Sequence, residues 1–286
     1  MPEFGVARKY AKDLVDYIAT LSQNNVDAYE MGFAYGIPQN ISDDVIALSK
    51  KRKVILSCHL PFWINLENSN KEKNIGYLVS GLKIAEILGS VAVFHLGFYG
   101  GKKFSELKKG IIDAIQEALD TSNVKNGKLG IESTGKQQAI GTVDEIIELV
   151  ISINDDRVMP VIDWSHFYAR SNGAYPYDYN DFKEILEKLE KEIGYKSFYF
   201  HGGGIEFKNG NEVRHTSAKT YEPPLPYLFA TLQDLGYKKF TFIVESPDSI
   251  GDVKWLKHMW KSPRDYFDRI PHRKPKTLFD FKRKEV

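Results

Sequence analysis

The 286-residue chain contains a single cysteine, Cys58, which excludes an intramolecular disulfide and a Cys-rich structural zinc site. A lone thiol fits a reducing compartment, so the cytoplasm is the expected location. No stretch approaches the roughly 20 uninterrupted apolar residues that span a bilayer. The opening MPEFGVARKY lacks the apolar core of a secretory signal, so neither export nor a membrane partner is expected. Neither sign of charge is in excess. A net charge of +1 offers no global attraction to nucleic acid and confines any such contact to a local patch. No Pro/Ser-rich linker divides the chain, so residues 1–270 read as one domain. Residues 271–286 differ: HRKPK and KRK make a basic tail with no helical face, read as solvated.

Six short apolar runs each end on a residue able to bind a metal. They are VILSCH, VAVFH, LGIE, MPVID, SFYFH and FTFIVE, ending at His59, His95, Glu132, Asp163, His201 and Glu245. The runs are β-branched or aromatic and bounded by Gly, Asn or Asp, the signature of buried parallel strands. Helix-period stretches alternate with them at 43–51, 71–88, 104–120, 142–153, 181–194, 224–235 and 251–260. A further run lies near 28–31, and a first strand fits at 3–6 ahead of a helix over 7–24. The sum is an α/β chain of eight strands and eight helices, a (β/α)8 barrel whose C-terminal mouth gathers the strand ends. Ser42 before Asp43 and Asp44 reads as an N-cap, and Thr142 with Glu145 as a capping box. Gly89, Gly194 and Gly236 stand where helix C-caps want a left-handed residue.

Strand alternation places His59 in the mouth and Cys58 outward under the helices, as a buried core thiol. A lone strand-end histidine is commonly a satisfied polar residue, and a lone acid commonly caps the next helix. Six together are different. Five of the seven histidines (His59, His95, His166, His201, His215) fall in strand ends or the loops after them. Glu132, Asp163 and Glu245 converging in one mouth would repel each other unless cations lay between them. Asp163 and His166, three apart on a strand-to-loop turn in IDWSH, suit one metal or two neighbours. Mixed imidazole and carboxylate donors favour zinc first, then manganese or iron. His258 and His272 read as non-ligands.

In order along the chain, CHLPFWINL, VFHLGFYGG, IESTGK, IDWSH, the histidine at 201 and VESP resemble the motifs of the endonuclease IV family, zinc-dependent apurinic/apyrimidinic endonucleases with a TIM-barrel fold. The wording of VFHLGFYGG and HGGGIEF is closer to archaeal members. The resemblance implies one zinc on His59, His95 and Glu132, and a second on Glu132, Asp163, His201 and Glu245. It implies a third on His166 and an Asp-x-His pair. His215 matches that histidine, but Val213 stands at the Asp position; Glu212, one residue away, substitutes if the loop shifts. Phe62 stands where the family often has a tyrosine wedge. The loop after the second strand, MGFAYGIP, offers Phe33 and Tyr35 but no Arg or Lys. Aromatics there either fill a base gap or pack as structure.

The implied activity is hydrolysis of the DNA phosphodiester 5′ to an abasic site, leaving a 3′-hydroxyl, by a monomer carrying two or three zinc (or manganese) ions. Glu132 and Glu245 are the implied catalytic carboxylates. The partner is damaged double-stranded DNA, with Tyr35, Phe62 and Arg214 touching it. Lys102, Lys103, Lys136 and Lys208 are further phosphate candidates. The alternative is a sugar isomerase or epimerase, for which Glu132, Asp163, His201 and Glu245 around one ion suffice. His59, His95 and His166 are then surplus.

Overall fold

A computed structural model describes residues 1–9, 13–67, 70–194 and 198–271. Eight strands hydrogen-bond in parallel as a closed barrel. In chain order they are β1 (Glu3–Lys9), β2 (Ala28–Gly32), β3 (Ile55–His59), β4 (Val91–Phe94), β5 (Lys128–Glu132), β6 (Val158–Asp163), β7 (Phe198–Gly202) and, after an antiparallel hairpin β8 (Gly204–Lys208) and β9 (Asn211–Thr216), β10 (Phe240–Val244). The ring runs β1-β10-β7-β6-β5-β4-β3-β2, so the expected (β/α)8 barrel is borne out. The intervening helices are α1 (Leu14–Gln23), α2 (Asp43–Arg52), α3 (Lys71–Leu88), α4 (Phe104–Ser122), α5 (Val143–Ile153), α6 (Trp164–Arg170), α7 (Tyr179–Ile193), α8 (Leu225–Asp234) and α9 (Ser249–Lys261). Among the described residues no helix is long and apolar enough to cross a membrane. The basic segment from His272 on lies outside the described residues.

Three expectations need correction. The first strand does not stop at residue 6: backbone pairing of Arg8 with Met31 and Lys9 with Gly32 carries it to Lys9, and α1 begins only at Leu14. Sheet pairing overrides the helical period over residues 7–9. The IDWSH segment is not a loop, because α6 starts immediately after Asp163. Every α6 residue except Phe167 is buried, so no amphipathic period announces the helix. Ser42 does occupy an N-cap position, but its hydroxyl makes no capping hydrogen bond. The capping box at Thr142 and Glu145 is present, with Glu145 N–H donating to Thr142 Oγ1 at 3.2 Å and Thr142 N–H to Glu145 Oε2 at 2.9 Å.

Two compact units divide the chain. One comprises Gly5–Ser133 with Gln138–Val161, the other Met1–Phe4, Thr134–Gln137 and the chain from Ile162 on. In the first, Gly130 leaves room on β5 for Val161 and Val91: a Cβ there would lie 2.6 and 2.9 Å from their methyls. The second is packed by aromatics. Phe4 meets Phe229 and Phe240 edge-on, and Trp164 sits against Phe182 and Phe200. Each such fully buried ring contributes on the order of 1.5–3 kcal/mol by leaving water, which fixes the strand ends on which the polar residues stand.

Candidate metal centre

In the first unit, neighbouring strands β3, β4 and β5 deliver His59, His95 and Glu132. His59 and Glu132 are the last residues of their strands, and His95 follows β4 directly. Both imidazoles address one carboxylate oxygen: Glu132 Oε2 lies 2.8 Å from His59 Nε2 and 2.6 Å from His95 Nε2. Glu132 is 1% exposed. His59 Nδ1 is 2.8 Å from the Leu60 carbonyl. A carbonyl only accepts, so Nδ1 carries the proton, and Nε2 faces the carboxylate either as the second N–H of an imidazolium or as a bare lone pair. Lone pairs facing each other at this distance require a proton or a cation among them. Anchoring the far nitrogen on a backbone carbonyl is also how metal-bound histidines are held. The loops after β3 and β4 are fastened to each other: Leu66 N–H donates to Leu96 O at 3.1 Å. Gly97, at φ +112°, lies so close that a Cβ would run into the Asn65 side chain and stand 2.7 Å from the Asn65 Cα.

The second unit gathers more donors. Asp163, ending β6, caps α6 through Oδ1, which accepts from His166 N–H at 2.7 Å; its Oδ2 lies 3.7 Å from His166 Nδ1. His201 on β7 places Nδ1 3.3 Å from Glu245 Oε1, just past β10. His215 on β9 places Nε2 3.1 Å from Glu245 Oε2 and 3.2 Å from His166 Nε2. Donor atoms of Asp163, His166, His215 and Glu245 all lie within 4.8 Å of one another. Two imidazoles and two carboxylates at this spacing form a donor set suited to zinc, manganese or iron, in which a cation would offset the buried negative charge. Val213 takes no part and is 56% exposed, whereas Glu212 Oε2 lies 3.5 Å from His166 Nε2.

The sequence matches the xylose isomerase-like TIM barrel family over residues 15–267. The chain belongs to that family. It is 33% identical over 215 residues to the uncharacterized protein MJ0133 of Methanocaldococcus jannaschii, covering 72% of this chain and 77% of that one. Endonuclease IV from Thermus thermophilus superposes with a TM-score of 0.68 at 19% identity, over 92% of this chain and 99% of that chain. D-Psicose 3-epimerase from Clostridium cellulolyticum superposes with a TM-score of 0.62 at 13% identity, over 94% and 99%. These two likenesses establish the shared fold.

Around this xylose isomerase-like barrel, the residues expected to touch DNA are exposed. Tyr35 is 88% exposed, Phe62 is 67% exposed with its ring edge-on to Trp63, and Arg214 is 73% exposed and paired with Glu206 at 2.7 Å. Lys102, Lys103, Lys136 and Lys208 are also exposed. Phe33 is core instead, its N–H donating to His59 O at 2.9 Å. Cys58 is fully buried as expected; burial first, then the nearby Glu30 charge, push its thiol well above the ordinary range. His258 stands exposed on α9, and His272 lies outside the described residues. Buried ionisable residues that the sequence pattern does not announce include Glu30 and Arg170. Glu30 sits in the middle of β2 with no solvent exposure, and its only signal is an acid inside the apolar run AYEM. Arg170, at the end of α6, donates to Lys136 O at 2.5 Å and Thr134 Oγ1 at 3.2 Å, holding the loop after β5.

Proposed function

We propose that this chain is a metal-dependent phosphodiesterase that hydrolyses DNA 5′ to an abasic site. The observation that carries the reading is the pair His59 and His95 closing on one oxygen of Glu132. A one-metal sugar enzyme has no use for that set. His59, His95 and Glu132 would hold one divalent ion; Asp163, His201 and Glu245 would hold another. Such ions, when bound, neutralise the scissile phosphate and bring a water's pKa down towards about 7. The chain's own contribution is to place these groups. Glu132 and Glu245 present the carboxylates, Glu245 taking the proton from the attacking water as the P–O3′ bond breaks; the departing 3′-oxygen takes its proton from solvent and leaves as a hydroxyl. The exposed rings of Tyr35 and Phe62 stack in the space left by the missing base, a contact worth about 1–3 kcal/mol per base. Arg214 exchanges its surface partner Glu206 for a phosphate at little cost, since exposed pairs are worth under about 1 kcal/mol.

One observation favours a sugar isomerase or epimerase instead: the loop after β2 exposes Tyr35 but carries no Lys or Arg to meet a phosphate backbone. The test is a duplex with one abasic site, incubated with zinc-loaded protein and resolved on a denaturing gel. A nick 5′ to the lesion with a polymerase-extendable 3′-end supports the hydrolase. An intact duplex, with a ketose epimerised by the same preparation, overturns it.

A further inference from the structure

We propose that the basic segment over residues 273–284 is an arm that grips the phosphates of duplex DNA, and that the fold starts it beside the strand ends carrying the candidate metal donors. The proposal deepens the DNA reading above and rests on it. Residues 272–286 hold six of the chain's 39 Lys and Arg and two of its 38 Asp and Glu. That segment is net +4 in a chain of net +1, so residues 1–271 are net −3. A duplex presents one negative charge per about 1.7 Å of its axis, which repels an acidic body. Two of the candidate DNA contacts do nothing to reverse this. The loop after β2 has no Lys or Arg, and Arg214 is already paired with Glu206 at 2.7 Å.

The path of the chain decides where the arm begins. α9 leads away from Glu245 to Lys261, and the 3₁₀ segment Pro263–Arg269 then turns back. It climbs α8 from the last residue of that helix to the first turn: Arg264 meets Asp234 at 2.5 Å, and Phe267 packs at 4.6 Å on Tyr227. α8 feeds the start of β10, so its first turn stands at the end of the unit where β7 and β10 stop. Tyr266 meets Trp255 edge-on at 5.8 Å, and the Arg269 guanidinium lies 4.7 Å from the Tyr266 ring centre. Arg269 also engages Tyr221 by charge and hydrogen bond. Tyr221 closes the 3₁₀ turn Ala218–Thr220, which follows the strand that carries His215. Asp252 fastens that turn to α9, accepting from Ser217 Oγ at 2.7 Å and Ala218 N–H at 2.9 Å. The chain is thereby held at the donor-bearing end as far as Ile270, whose N–H donates to Phe267 O at 3.1 Å. The residues from there to Lys284 reach at most about 45 Å, enough to follow a full turn of duplex.

The experiment compares full-length wild type with a full-length variant carrying Arg273→Gln, Lys274→Gln, Lys276→Gln, Lys282→Gln, Arg283→Gln and Lys284→Gln. Binding of a fluorescent undamaged duplex is followed by anisotropy between about 50 and 200 mM salt. Each phosphate met adds about 0.9 to the slope of log affinity against log salt, so four to six contacts add about 3.6–5.4. The expected result is a wild-type slope steeper by that amount, with an affinity advantage that shrinks about 10²–10³-fold across the range. A photoreactive group at position 272 is expected to mark nucleotides flanking an abasic site; marking confined to the duplex ends would overturn the placement. Equal slopes and affinities, in two proteins that melt at the same temperature, would overturn the arm. Leu278, Phe279 and Phe281, set between its charges, would then mark a segment read by a protein. A wild type with the steep slope that leaves an abasic duplex uncut would instead refute the hydrolase reading and leave the arm standing.

Discussion

Glu132→Gln removes one charge from a buried position without changing its shape. Glu132 Oε2 is the common neighbour of His59 Nε2 and His95 Nε2, at 2.8 and 2.6 Å, and the residue is 1% exposed. Loss of an outer partner of a metal ligand costs about 10–100-fold in affinity, so loss of a direct carboxylate donor costs at least about 100-fold. That ratio is about 2.8 kcal/mol of zinc-linked stability once zinc exceeds both dissociation constants. With a melting entropy of about 2.1 cal/mol/K per residue, a chain of this length loses about 5 °C of its zinc-induced rise in Tm. The assay is differential scanning calorimetry of each protein stripped and with excess zinc. Taking the difference within each protein cancels the direct effect of the substitution on the metal-free chain. An equal zinc-induced rise in both proteins would refute the claim that Glu132 is a ligand.

Gly97→Ala forces a Cβ to within 2.7 Å of the Asn65 backbone at a φ of +112°, straining the junction between the loops after β3 and β4 by about 1–3 kcal/mol; Tm should fall and the zinc-induced rise with it, both visible in one calorimetric series. Cys58 should resist a thiol-specific disulfide reagent in the native protein at pH 8 and react fully in guanidinium, since burial holds the thiol protonated; rapid native labelling would contradict this. Arg157→Ala removes donors to Asp155 Oδ1 and Oδ2 at 2.9 and 2.7 Å and to the Leu119 and Val124 carbonyls, and should cost about 1–2 kcal/mol at pH 7 in urea melts. Asp155 is held below its ordinary pKa chiefly by the Arg157 side-chain hydrogen bond, so this contribution is present above about pH 4 and is lost as pH falls through the depressed value; the gap between the two proteins should narrow there.

The barrel was readable because its strands are short buried runs that each stop at a polar residue, as at VILSCH and FTFIVE. The same endings exposed His59, His95, Glu132, Asp163, His201 and Glu245, since a charged or imidazole side chain after an apolar run has few structural uses. What sequence order did not reveal is set by pairing between distant segments. The hairpin that carries His215 alternates irregularly and is half exposed, so no strand period marks it. The bulge that turns Glu212 inward exists only as a register between β8 and β9. The helix α6 stayed hidden for the opposite reason, being buried on nearly every side. Glu30 has no sequence signature beyond being one acid among three apolar neighbours, Ala28, Tyr29 and Met31, and only its burial sets it apart.

The proposed activity requires a multi-ion centre that cuts a phosphodiester. The measurement that tests it most directly is metal content per chain, on protein purified without chelator, paired with single-turnover incision of an abasic-site duplex by that same preparation. Two or three zinc or manganese ions per chain, with a nick 5′ to the lesion that vanishes on stripping and returns on reloading, is the predicted result. One ion per chain and an uncut duplex would contradict it.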